Sequence, residues 1–165
     1  LIRALAIKEN LMTLTLSNLN TIGNHTLLSQ LFSLLDKYHV NVMSVITSQI
    51  SIRLIIDTHH VNWHHQSNIT QALIHELETI PNTQVKTQSD LSMITIIGNR
   101  LLQTSGVADQ ILGLVKEFNI LQVNTGASSH HFSILCLIDD VEKMSAKLHH
   151  ALFVEGLTYD TVEIK

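Results

Sequence analysis

Hydrophobic and polar positions alternate from Met12 to Leu16, with Met12, Leu14 and Leu16 separated by Thr13 and Thr15. A period of two puts one set of side chains on one face, which predicts a half-buried strand. After a polar turn the period lengthens. Leu27, Leu28, Leu31, Phe32, Leu34 and Leu35 follow helical spacing, with Ser29, Gln30, Ser33, Asp36 and Lys37 on the other side, so a helix packed on one face is expected over 26–38. The β-branched runs 40–46 and 50–56, separated by Thr47-Ser48-Gln49, predict an antiparallel hairpin. A second helix over 68–79 is closed off by Pro81, the single proline, and 83–88 is a weaker strand candidate.

The same order then returns. Thr15 aligns with Thr95, Leu31 with Ile111, Leu34 with Leu114 and Tyr38 with Phe118, all at a spacing of 80 residues. Past Ser48 and Ser128 the best sequence match shifts by two more residues, aligning Ile52 with Ile134 and Asp57 with Asp139, as if a turn near 129–131 were longer. The second copy reads as strand 91–97, helix 106–118, strands 120–125 and 132–138, and helix 141–153. Its fourth strand is missing from the expected place, and either 2–6 or 157–164 could supply it. Strand, helix, strand, strand, helix, strand packs as one antiparallel sheet with both helices on one face. The expected fold class is α+β: two tandem ferredoxin-like βαββαβ modules.

Composition narrows the function. With 165 residues and 45% hydrophobic content, the chain can build a real core. Ten Lys and Arg against 14 Asp and Glu leave a net charge of −4, which offers no grip on a phosphate backbone, so no nucleic-acid partner is expected. The apolar runs are far shorter than the roughly 20 residues that cross a bilayer, and no membrane association is expected. The first residue is Leu, as in an excised piece of a longer polypeptide. The lone Cys136 reads as a small core side chain in an apolar strand, consistent with a reducing, cytoplasmic setting.

Candidate chemistry is sparse. Eleven histidines, several paired (His59-His60, His64-His65, His130-His131, His149-His150), raise a metal site, and His60 with His64 would converge if they shared a helical turn. No carboxylate or thiol completes a motif there, and no metal or other cofactor is expected. There is no Gly-x-Ser-x-Gly elbow or P-loop ending, and the Asp139-Asp140 pair reads as a helix cap, so no catalytic residues are assigned. What remains is the junction of loop and helix in each copy, 20–28 and 97–107, where free N–H groups could meet a carboxylate.

These residues resemble the tandem ACT-domain regulatory region of aspartokinases. The resemblance is carried by Ile96-Ile97-Gly98-Asn99, Ser105-Gly106-Val107-Ala108 and Phe118-Asn119-Ile120. Gly126-Ala127-Ser128-Ser129-His130 and the run from Lys147 to Phe153 look most like the lysine-sensitive class. Leu14-Thr15-Leu16 with Leu19-Asn20, the strand over 40–46, and Thr47-Ser48 resemble its first module. The likeness spans about residues 2–153.

The resemblance implies a first ACT module over 12–90, inserted into a second made of 1–11 and 91–153, with 154–165 as a tail, extra strand or linker. It implies a homodimer holding an amino-acid effector, lysine by class, between two first modules, and an N-terminal kinase domain in the parent protein. Effector contacts carry over to Thr21, Asn24, Leu27 and Leu28, to Asn41, Val42 and Met43, and to Thr47, Ser48 and Gln49. The family usually has an aspartate where Met43 stands and an acidic residue where Gln49 stands, and its helix-start glycine is Thr26 here. Two other readings follow from these residues: a dimerisation scaffold with a degenerate pocket, and a metal-responsive ACT-like sensor working through the histidine-rich loop.

Overall fold

A computed structural model describes residues 2–18, 24–59, 63–125 and 128–156, with side chains described for all of these except Asn18, Asn24 and 63–67. The elements in chain order are β1 (Ile2–Asn18), α1 (Asn24–Lys37), β2 (Val42–Thr47), β3 (Ser51–Asp57), α2 (Trp63–Glu78), β4 (Thr83–Gly98), α3 (Val107–Leu114), β5 (Gln122–Asn124), β6 (His131–Leu137) and α4 (Ile138–His149). A short 3-10 turn, Leu101–Gln103, precedes α3, and a π-helical stretch, His150–Glu155, extends α4. The fold is α+β with antiparallel pairing.

The chain divides into two compact units, Asn10–Asp90 and Leu1–Glu9 with Leu91–Lys165. It passes from one to the other within β1 and back within β4, each a single long strand. Sequence alone suggested separate short strands there, because Lys8, Glu9 and Asn10 on one side and Gln88, Ser89 and Asp90 on the other interrupt the apolar alternation. Asn10 and Asp90, at the two crossings, both have φ 58. Asn and Asp tolerate this left-handed conformation better than other side chains do, so the strand continues past a local kink.

In the Asn10–Asp90 unit, β3 lies between β2 and β1, and β4 lies on the far side of β1. Leu14 faces Leu54 across β1 and β3. Met12, Leu14, Leu16, Ile52, Leu54 and Ile56 share one sheet face and pack with Leu27, Leu31 and Leu35 of α1 and Leu73 and Leu77 of α2. Both helices therefore cover that one face.

The other unit repeats the plan: β6 lies between β5 and β4, and β1 lies beyond β4. Ile94, Ile96, Phe132, Ile134 and Cys136 meet Val107 and Ile111 of α3 and Val141, Met144 and Leu148 of α4.

Several sequence expectations shift. Ile94 pairs with Ile134 as Leu14 pairs with Leu54, so the spacing in the third strand is 80 and not 82; in the second strand it is 78, since Ser44 faces Ile55 as Gln122 faces Leu135, and the second hairpin turn is indeed two residues longer. The similar apolar runs Ile52–Asp57 and 134–139 misled the match, because burying a face constrains register while β-branched identity does not. α2 begins at Trp63, five residues before its expected start. α3 ends at Leu114, short of Phe118, as the backbone tightens through Val115 N–H to Leu112 C=O (3.2 Å) and Phe118 N–H to Val115 C=O (3.0 Å). Asp139 and Asp140 are not caps; they sit inside the first turn of α4, where their charge suits the helix dipole. The closing segment 157–164 lies outside the described residues.

Candidate functional site

The effector residues implied by resemblance all belong to the Asn10–Asp90 unit, and they fall at opposite ends of it. Thr21 lies outside the described residues, and Asn24 is placed only as the first residue of α1. Leu27 is buried in the core and Leu28 is half-buried against it, so the first turn of α1 turns these side chains inward.

The hairpin tip sits at this same end of the sheet, because Ser17 of β1 pairs with Ser51 of β3. Thr47 closes β2 opposite Ile52. Ser48 builds the turn: its N–H donates to Ser51 C=O at 2.8 Å, and its hydroxyl accepts from the Ser51 N–H at 3.1 Å. Gln49 is exposed at the tip.

Asn41, Val42 and Met43 lie at the other end of β2. The Asn41 carbonyl accepts from the Asp57 N–H at 3.1 Å, and Val42 is half-buried opposite Ile56. Pairing skips Met43, which sits in a bulge between Val42 and Ser44 with 42% of its surface exposed. Six residues of strand separate Asn41 from Thr47, about 20 Å. The two groups of implied residues thus lie apart along an edge strand. The run from Asn41 to Ser51 contains no charged residue at all.

β2 exposes Met43, Val45 and Ile46, and Ile50 follows in the turn. An uncharged apolar edge strand is a ready template for pairing with another chain.

The second loop-to-helix junction is closed. Leu101 is fully buried in the core of its unit, and Gly106, with φ 81, opens α3. Of the paired histidines, His130 places Nδ1 3.2 Å from the Gly98 carbonyl, and His149 stacks on Phe153 with ring centroids 5.2 Å apart. His60 lies outside the described residues, and His64 is described only as backbone of α2. Among the described residues, no group of three or more His, Cys, Asp or Glu is placed to hold a metal ion. Among them, too, no helix is long and apolar enough to cross a membrane.

Burial, with the Asp140 carboxylate adding to it, pushes the Cys136 thiol up to about 11. Its Sγ lies 3.6 Å from the Ser92 carbonyl, as befits an inert core side chain.

Sequence reasoning missed a cavity of about 150 Å³ beside Asn41, walled on one side by Ile69, Thr70 and Leu73 of α2. Helical periodicity marks Ile69 and Leu73 as inward-facing, but nothing in it signals a space between them and β2.

No protein-family model matches the chain. In sequence it is 33% identical over 153 residues to the lysine-sensitive aspartokinase 3 of Escherichia coli, covering 93% of this chain and 34% of that protein. Its fold matches the crystal structure of E. coli aspartokinase III in complex with lysine and aspartate (T-state), with a TM-score of 0.78 at 33% identity, over 93% of this chain and 33% of that one. Its relatives are the aspartokinases. The chain spans about a third of the length of that curated relative.

The fold alone also matches the ligand-free regulatory subunit of aspartate kinase from Thermus thermophilus, with a TM-score of 0.73 at 17% identity, over 92% of this chain and 98% of that one. The fold thus covers nearly the whole of that regulatory subunit.

Proposed function

We propose that this chain is the amino-acid-sensing region of an aspartokinase, mediating feedback inhibition by an end-product amino acid, lysine by class. Its two units act as ACT modules, the first (12–90) inserted into the second (1–11 with 91–153), with 154–165 as a tail. The parent protein carries an N-terminal kinase domain and works in the cytoplasm.

The observation that supports this reading is the uncharged edge strand β2, with Asn41–Met43 at one end and Thr47–Gln49 at the other. On this reading neither group forms a complete site within one chain. Antiparallel pairing of β2 with β2 of a second copy, about a twofold axis, would set Asn41–Met43 of one beside Thr47–Gln49 of the other. The effector would then sit between two first modules and favour one dimer arrangement. Coupling follows only if that arrangement binds effector more tightly than the active one, since equal affinity shifts nothing.

The test is calorimetric titration with lysine, threonine and methionine, with sedimentation on the same samples. Saturable lysine binding by a dimer, weakened by Asn41→Ala, supports the sensor. A stable dimer with flat titrations would instead support the scaffold reading, which Met43 and Gln49 favour because neither supplies a carboxylate for a cationic side chain.

A further inference from the structure

The cavity beside Asn41 is internal to the Asn10–Asp90 unit and lies at the end opposite the hairpin tip. Its floor is apolar: Ile56 and Leu73 are 3% and 1% exposed. Val40 and Ile69 form half-buried walls, and the polar side chains of Asn41 and Thr70 stand at the mouth. A concave apolar space with a few converging polar groups is the usual form of a small-molecule pocket.

The other unit closes the corresponding space. Ile56 corresponds to Cys136 at the spacing of 80, and Asn41 to Asn119 at the spacing of 78 that the second strand keeps. On the second helix, the buried pair Leu73 and Leu77 corresponds to Met144 and Leu148, which puts Val141 in the place of Thr70. Val141 and Met144 are buried in a continuous core there, at 6% and 0% exposure. The same fold can therefore fill this position with apolar side chains. A cavity kept at this size costs stability that such side chains would recover.

We infer that this cavity binds a neutral amino acid with an apolar side chain, inserting the side chain between Ile69 and Val40 and holding its polar head at Asn41 and Thr70. A space of about 150 Å³ suits a body of roughly four to six carbons, branched aliphatic or phenyl. The side-chain amide of Asn41 and the hydroxyl of Thr70 each offer a donor and an acceptor, which together can meet both an ammonium and a carboxylate. Asp57, whose N–H donates to the Asn41 carbonyl, is 4% exposed and its Oδ1 accepts from the His59 N–H at 2.9 Å, while Glu76 is held by Lys37 at 2.6 Å. The site shares only Asn41 with the effector residues above, and it rests on one chain rather than on an interface.

The experiment is calorimetric titration of the protein with L-leucine, L-phenylalanine, 4-methylpentanoate and L-lysine. Thr70→Phe, which fills the mouth, and Asn41→Leu, which removes the amide, are run alongside. The expected result is saturable binding of leucine or phenylalanine, at least about tenfold tighter than that of 4-methylpentanoate, and weakened at least about tenfold by either variant. Leucine and phenylalanine that fail to bind, or that bind the variants unchanged, would overturn the inference. So would 4-methylpentanoate binding as tightly as leucine, which would mean the head is not an amino acid. Lysine is the separate arm: lysine binding unchanged by Thr70→Phe keeps the regulatory reading intact even if leucine fails, whereas flat lysine with bound leucine refutes the lysine assignment alone.

Discussion

Lys37 and Glu76 join the end of α1 to α2, with Nζ 2.6 Å from Oε1, and the Tyr38 hydroxyl donates to the same oxygen. The other unit holds the same contact with its charges exchanged. Glu117 follows Lys37 by the period of 80, and Lys147 precedes Leu148 as Glu76 precedes Leu77; their Nζ–Oε2 distance is 2.5 Å. The position needs opposite charges between the two helices and is indifferent to which helix carries which. Lys37→Glu or Glu76→Lys alone should lower the urea midpoint, and the double exchange should restore most of the loss. A double variant no more stable than the worse single would contradict the pairing.

The same contact sets a pH dependence. Hydrogen bonds from Lys37, and then from Tyr38, hold the Glu76 carboxyl below its ordinary 4.5. The native carboxylate resists protonation more than the unfolded one, so its stabilisation is complete above the unfolded pKa and is lost as pH falls through the lower native value. The Glu76 contact raises Lys37 above 10.5, so that share is complete below the unfolded value and is lost as pH rises through the native one. The clamp should be pH-independent between these limits and fade in acid and in strong base. Carboxyl carbon-13 shifts should titrate Glu76 with a midpoint under 4.5, and a midpoint at or above it would remove the argument.

Asn10 and Asp90 hold left-handed backbone inside long strands. A valine at either position meets the steric cost of that conformation, about 1–2 kcal/mol, whereas glycine avoids it. Urea unfolding should rank Asp90→Gly at or above the wild type and Asp90→Val below it, with the same order at Asn10.

Cys136 should be nearly inert while the protein is folded. Raising its thiol from 9.0 to about 11 cuts the thiolate fraction near pH 8 on the order of 100-fold, before any loss of access. A chromogenic disulfide reagent at that pH should react slowly with native protein and rapidly in denaturant. Equal rates would mean the strand opens freely.

Leu54 and Ile134 are fully buried at equivalent places in the two cores, opposite Leu14 and Ile94. Truncating either to alanine should cost about 2–5 kcal/mol, read from denaturant melts. Similar losses at both would match their shared role.

Local hydrophobic pattern sufficed for the kinds of elements, their order and their repetition, because periods of two and of three to four are local consequences of which face is buried. Met12–Leu16, Leu27–Leu35 and the hairpin around Thr47–Gln49 carry that signal without help. The aspartokinase resemblance was also legible, through short motifs such as Ile97-Gly98-Asn99 and Ser105-Gly106-Val107.

Register across the third strand was decided by tertiary packing, since Ile52 and Leu54 look equally suited to stand for Ile134 until the partner face selects Leu54. The unbroken course of β1 and β4 through polar Asn10 and Asp90 depended on strand neighbours that no local pattern reveals. The separation of Asn41 from Thr47 along β2, and the space between Val40 and Ile69, are distances between side chains. Such distances arise only when strand and helix are packed together, because a one-dimensional pattern records which residues turn inward and not how completely they fill what they enclose.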